Sequence, residues 1–297
     1  MMKRCKWALL SLLFFCAPAA ADGEPLPWGG VASLATCNLA AGSVWTAYEG
    51  GNDCLRYFTG GKIDDAAIVI VVLRGDYDPW VKRPPDQIPL NTFAEQTLVA
   101  GRLAEKAGFP VIVLARPGTF GSTGDHLRRR QPEEFLALQS ALRNIRARHR
   151  IGRFVLFGHS GGATAVAALL TMGRNDVACA VMTSGAYGLL ERAEMLRRAR
   201  GEKSSPGTDT TGLRDPYDPL DHVDGIVQAP ERRIILIGDS RDQVTPYVLQ
   251  ERFHQALKAA GHSAALLERE AREPRYHSLK DEVGLHEAAA CARAVSP

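Results

Sequence analysis

The 297-residue sequence carries almost no excess charge: 36 Lys and Arg stand against 33 Asp and Glu, a formal net charge of +3. So even a balance excludes a dedicated nucleic-acid binder, which needs a basic field to gather phosphates. The 28 Gly and 17 Pro follow no period, which excludes a collagen-like or low-complexity chain. The six cysteines include no C-x-x-C pair, so no zinc site is implied. No repeat of fixed period is present. Past Ala21 no apolar run is long enough to cross a bilayer, which takes about 20 residues. What the chain does have is apolar content, 45%, too much for disorder at so low a net charge.

Met1–Ala21 reads as a secretory signal peptide. Lys3, Arg4 and Lys6 precede a short apolar run, Ala8–Cys16, and Ala19 and Ala21 fit a cleavage site before Asp22. Phe15 is too bulky for the position before a lipoprotein-type cysteine at Cys16. Removal of this segment takes away three basic residues, leaving 33 of each sign and a formally neutral chain, Asp22–Pro297. That length suits a single domain, 22–297. Cys37, Cys54, Cys179 and Cys291 remain. An even count in an exported chain predicts two disulfides and a periplasmic or secreted location. Cys37–Cys54 is the local pairing and leaves Cys179–Cys291; a buried free thiol at Cys179 is the alternative.

Asp22–Leu39 reads as an irregular arm. Ser43–Tyr48 and Cys54–Thr59 predict a hairpin around Glu49–Asp53. Ala66–Leu73 is a continuous β-branched run, the pattern of a strand buried on both faces of a parallel sheet. Val111–Leu114, Phe154–Phe157, Ala178–Thr183 and Ile234–Ile237 repeat it, and Ser263–Glu268 is a weaker instance. Helical patterns at Thr92–Ala107, Glu133–Arg148, Ala163–Met172, Pro246–Ala260 and Leu279–Ala294 separate them. Strands alternating with helices predict an α/β fold, a doubly wound, mostly parallel sheet. Residues 200–216, rich in Gly, Ser, Thr and Asp, predict a flexible loop within a lid-like insertion at about 184–219. The basic residues of Leu189–Arg200, of Arg128–Arg130, and at 143, 146, 148 and 150 read as solvated faces.

Gly158-His159-Ser160-Gly161-Gly162 lies between a buried strand and a helix of small residues. That context makes G-x-S-x-G a nucleophile elbow, with Ser160 projecting from a strained turn and the Gly161 N–H aimed at the reaction centre. A serine needs a base, because its alkoxide is not available at neutral pH. Among eight histidines, His277 follows the last strand; His262 precedes it, and His254 and His286 fall within helices. His159 belongs to the elbow as a packing or orienting residue lining the pocket. The acid follows the Ile234–Ile237 strand, where Asp242 is preferred and Asp239 supports the turn. A second oxyanion donor is expected from the loop Arg74–Tyr77, at Gly75 or Asp76. Tyr77, Trp80 and the loop 116–126 are placed to wall a substrate pocket, since ligands bind at the C-terminal ends of such strands.

From about Val44 onward these residues resemble the α/β-hydrolase superfamily. Arg116-Pro117-Gly118 with Gly121-Ser122 is similar to its loop after the fourth strand. Pro219–Asp224, the Ile234 strand, Asp242 and Gly261-His262 are similar to the prolyl-oligopeptidase and dienelactone-hydrolase branches. The resemblance implies a serine esterase or peptidase without metal or cofactor, with Ser160, Asp242 and His277 as its triad, acting on a small-molecule or peptide substrate. Two departures stand out. Arg241 occupies the third position after Gly238, where such proteins place the acid, while Asp242 lies four residues before Pro246. Arg74-Gly75 replaces the usual His-Gly oxyanion stretch. A non-catalytic binding protein on the same scaffold, or an acyltransferase using the same triad, is the alternative.

Overall fold

A computed structural model describes residues 23–31 and 33–296; the expected signal segment, with Cys5 and Cys16, lies outside them. Eight strands form one sheet in the order β1-β2-β4-β3-β5-β6-β7-β8. They are β1 (Ser43–Tyr48), β2 (Gly51–Gly60), β3 (Ile68–Leu73), β4 (Val111–Leu114), β5 (Arg153–His159), β6 (Val177–Thr183), β7 (Arg233–Gly238) and β8 (Ala264–Glu268). β1 and β2 are an antiparallel hairpin, β2 runs antiparallel to β4, and the other neighbours are parallel. The hairpin turn is tighter than the sequence implied: Tyr48 pairs with Gly51, and Gly50 takes a positive φ of 91°.

Every residue of β3, β4 and β6 is buried, as parallel strands covered on both faces require. On one face lie α3 (Pro132–His149), α4 (Gly161–Thr171) and α6 (Tyr247–Ala259), packed through Leu138, Leu142, Val166, Leu169, Phe253 and Leu257. On the other lie α2 (Phe93–Ala107) and α7 (Val283–Val295), packed through Ala100, Ala104, Leu285, Ala288 and Ala292. Thr92 and Glu95 close a capping box on α2, and Gly108 ends it in the left-handed conformation. Disulfides join Cys37 to Cys54 and Cys179 to Cys291, so the arm is tied to β2 and α7 to β6.

Three local expectations need correction. The N-terminal arm is not wholly irregular: Ser33 caps a short helix, α1 (Leu34–Leu39), that carries Cys37. Helix α7 starts four residues later than its pattern, because Leu279 bridges Ala271 and the Lys280 N–H donates to the Glu270 carbonyl. The polar segment 200–216 is pinned. Arg197, on α5 (Leu189–Ala199), donates to the carbonyls of Ser205, Thr208 and Asp209, and the buried Asp209 carboxylate pairs with Arg130.

The chain leaves β3 for β4 on one side and returns to β5 on the other. The strand order therefore switches at the β3–β5 pair, and the loops following these two strands diverge around a crevice. The loop after β3 is Arg74–Tyr77; the residue after β5 is Ser160.

Candidate active site

Ser160 sits between β5 and α4 with φ 55° and ψ −122°, a strained conformation for a non-glycine residue. The residues two positions before and after it must be glycine. A Cβ on Gly158 would lie 2.3 Å from the Gly162 carbonyl oxygen, and one on Gly162 would lie 2.0 Å from that of Leu73. The elbow is fixed to the next strand by the Ser160 N–H, which donates to the Thr183 carbonyl at 2.9 Å.

His277 reaches Ser160 from the loop after β8. Its Nε2 lies 2.9 Å from Ser160 Oγ, and its Nδ1 lies 2.8 Å from Asp242 Oδ2. The Ser184 hydroxyl donates to the His277 carbonyl at 2.8 Å and holds the backbone. Asp242 is buried in the loop after β7. Its Oδ1 accepts from the N–H groups of Val244 at 2.7 Å and Thr245 at 2.9 Å, and the Thr245 hydroxyl donates to Oδ2 at 2.8 Å. Asp239 makes no hydrogen bond to the histidine. It accepts from Arg241 and from the Ala271 N–H, and the Arg241 hydrogen bonds hold its carboxyl below the usual carboxylate range. Of the two acids, Asp242 is therefore the one in contact with His277.

On the other side of Ser160, Gly75 comes so close that a Cβ there would lie 3.2 Å from Ser160 Cβ. The N–H groups of Gly75, Asp76 and Gly161 have no hydrogen-bond acceptor among the described residues. The Tyr77 N–H is occupied, donating to His126 Nε2 at 3.2 Å. Burial, and then Arg116, push the His126 pKa down to about 3. His126 is thus neutral, as the acceptor role of Nε2 demands.

The Asp76 carboxylate lies against Gly161, where a Cβ would stand 2.0 Å from Oδ1. Three buried arginines converge on it. Arg116 Nη1 is 2.7 Å from Oδ1, Arg129 Nε is 3.2 Å from Oδ2, and Arg130 Nη1 also binds Oδ2. Arg116 continues to Glu134 at 2.6 Å and Arg130 to Asp209 at 2.7 Å. Burial alone would raise the Asp76 pKa, but the three guanidiniums hold it well below the carboxylate range. Reading Arg128–Arg130 and Leu189–Arg200 as solvated faces therefore fails at Arg129, Arg130 and Arg192, which are 3%, 1% and 7% exposed. Arg192 donates from Nε to the Val244 carbonyl at 2.9 Å and from Nη1 to Thr210 Oγ1 at 3.2 Å, which ties α5 to the Asp242 loop.

His159 places Nδ1 3.1 Å from Thr183 Oγ1, and its ring centroid is 5.1 Å from that of His277. Burial, and then His277, push its pKa down to about 4. It lines a cleft of about 260 Å³ whose apolar walls include Leu103, Phe157, Leu279, Val283 and Leu285. Tyr77 and Trp80 stack at 4.9 Å and pack with Phe120 and with Trp28 of the arm, a partner that no sequence pattern marked. Among the described residues no group of three or more His, Cys, Asp or Glu is arranged to hold a metal, and no helix is long and apolar enough to cross a membrane.

No family model and no curated protein sequence matches the chain. Solved structures do. An esterase of Pyrococcus furiosus, Pf2001, superposes with a TM-score of 0.59 at 15% identity, covering 91% of this chain and 98% of that one. The acylaminoacyl peptidase of Pyrococcus horikoshii gives 0.52 at 14% identity, covering 84% of this chain but 39% of the peptidase. A puromycin-hydrolysing peptidase of Mycobacterium tuberculosis gives 0.52 at 17%, covering 85% of this chain and 40% of the peptidase. Likeness at such identity is likeness of fold: this chain has the α/β-hydrolase fold shared by these esterases and peptidases.

Proposed function

We propose that the chain is an exported serine hydrolase that cleaves a carboxylic ester or amide through an acyl-enzyme. The hydrogen-bonded line from Ser160 Oγ through His277 to Asp242 Oδ2, at 2.9 Å and 2.8 Å, carries this reading. Ser160 Oγ attacks the carbonyl carbon as His277 Nε2 takes its proton. The Nδ1–H donates to Asp242, whose negative charge stabilises the imidazolium. Charge gathering on the carbonyl oxygen meets the Gly161 N–H, at the positive end of α4, and an N–H of Gly75 or Asp76. His277 then protonates the leaving group, and water, activated by the same nitrogen, releases the acid.

An ester is the first substrate to try, because the esterase is matched over nearly its whole length and the peptidases over less than half of theirs. Export is supported by the signal-like segment Met1–Ala21 and by two disulfides, which persist in oxidising compartments. A fluorophosphonate probe is expected to label the protein at Ser160, and Ser160→Ala is expected to lose labelling and at least about 10³-fold of short p-nitrophenyl ester hydrolysis. A wild-type protein that stays unlabelled beside a reacting control hydrolase, and turns over no ester, would instead be a binding protein on this scaffold. An acyltransferase would transfer the acyl group to an added alcohol in preference to water.

A further inference from the structure

Away from the elbow, a cleft of about 340 Å³ opens between the N-terminal arm, β2 and the start of α2. Its walls are apolar: Leu26, Pro27, Ala40, Phe93 and the Cys37–Cys54 disulfide. Arg56, on β2, also lines it and is 8% exposed. The guanidinium lies over the Phe93 ring, 5.3 Å from its centroid. Its Nε is buried with no hydrogen-bond partner, and no carboxylate of the described residues comes within 4.0 Å of it. Glu24 is exposed on the same cleft, beyond ion-pair distance.

A buried cation without a counter-ion costs several kcal/mol, and an aromatic face returns only about 0.5–2 kcal/mol of that. Other buried arginines have polar partners: Arg116, Arg129 and Arg130 each meet a carboxylate, Arg232 donates to the carbonyls of Arg174 and Val227, and Arg192 donates to the carbonyl of Val244. Among the described residues Arg56 has an aromatic ring and open space beside it. The burial that would be relieved by an anion also lowers its pKa. A pocket of this volume sits at the small end of the range for small-molecule sites, about 300–1,000 Å³, and has their usual character of apolar walls around few polar groups.

We propose that this cleft binds a small organic carboxylate with an apolar body. The carboxylate pairs with the Arg56 guanidinium, whose planar fork matches two carboxylate oxygens. The apolar body lies along Leu26, Pro27 and Ala40. A phosphate fits less well, since one guanidinium leaves most of its oxygens without donors between apolar walls. The site is separate from the Ser160 chemistry and holds whether or not the chain is a hydrolase.

Calorimetric titration with octanoate and with its neutral isostere octanamide tests the proposal. Octanoate is expected to bind the wild-type protein at least about tenfold more tightly than octanamide. Arg56→Met is expected to lose at least about tenfold of octanoate affinity while unfolding no earlier on heating, because it removes an unpaired buried charge. Arg56→Lys keeps the charge and part of the affinity. Ala40→Phe, which fills the cleft and leaves Arg56 in place, weakens both ligands and serves should Arg56→Met fail to fold. Three results overturn the proposal: no octanoate binding to wild type, equal affinity for acid and amide, or octanoate binding that survives Arg56→Met or Ala40→Phe. Binding in the Ser160 crevice would give the last of these.

Discussion

Two carboxylates flank Ser160, and the chain treats their charge in opposite ways. Asp242 touches no guanidinium of the described residues. Its hydrogen-bond partners are neutral groups: two backbone N–H groups, the Thr245 hydroxyl and His277. Asp76 is gripped by Arg116, Arg129 and Arg130. Neutral donors stabilise an anion without cancelling it, so in the proposed mechanism the Asp242 charge is still available when His277 takes up a proton. A guanidinium on Asp242 would already have neutralised that charge. On the proposed oxyanion side nothing titrates in that mechanism, and the requirement is a loop that holds its N–H groups in place. Ion pairs buried behind Gly161 meet it. In that mechanism one side of the crevice carries a changing charge and the other a fixed backbone.

The largest effect that can break this contrast is on turnover. Asp242→Asn is expected to lower kcat/KM for a p-nitrophenyl ester by about 10³–10⁴-fold, since an amide neither fixes the working tautomer nor stabilises the imidazolium. Asp239→Asn, whose partners are Arg241 and Ala271, is expected to change it less than about tenfold. If the two variants exchange ranks, the base side has been assigned to the wrong acid.

The next effect is on stability. Arg116→Met strands Asp76 on two guanidiniums and leaves Glu134 with the Arg130 N–H as its remaining partner. Removing one member of a buried pair costs about 3–5 kcal/mol, read as a lower urea midpoint. Asp242→Asn, which breaks no ion pair with a permanent cation, is expected to cost less than half of that. Equal losses would mean that the arginine side is no more a scaffold than the base side.

The same contrast separates what the sequence made legible from what it did not. The elbow is a local signal: five consecutive residues, a β-branched run before them and small residues after. His277 and Asp242 follow from where strands end. The β-branched run Ala66–Leu73 and the apolar stretches Phe154–Phe157 and Ala178–Thr183 announce parallel strands, because a short continuous apolar run suits a strand covered on both faces. Arg129 and Arg130 carry no such signal. Three arginines in a row look like a solvated face, and the carboxylate that buries two of them, Asp76, lies far back in the chain, before α2 and β4. Asp76 was legible for its N–H, and its side chain does the holding. Ion-pair partners have no period and no fixed spacing, so long-range pairing of charge is what periodicity arguments miss. The same blindness hid Arg192 and the docking of Trp28 on the aromatic cluster. The start of α7 was missed for a related reason: residues 279 and 280 pair with 270 and 271, a contact that overrides their helical pattern.

The smallest effect comes from His126, which joins the loop after β4 to the arginine-held loop. It is 2% exposed and accepts the Tyr77 N–H at Nε2, so the folded protein keeps it neutral with a pKa of about 3. In the unfolded chain a histidine titrates near 6.5. Between about pH 6.5 and pH 3 the unfolded state therefore holds a proton that the folded state lacks, and stability falls as pH falls through that window. Above about pH 6.5 both states are neutral and the contribution is constant. The slope from this one group reaches at most about 1.4 kcal/mol per pH unit. His126→Gln should flatten the fall between pH 6.5 and 4, measured by urea unfolding at several pH values. It should not remove it, because His159, with a folded pKa of about 4, adds to the slope over the upper part of the same window. An unchanged slope in His126→Gln would mean that His126 gains its proton in the folded state. In that case the Tyr77 N–H is not held by Nε2, and the fixed side of the crevice is looser than its three arginines imply.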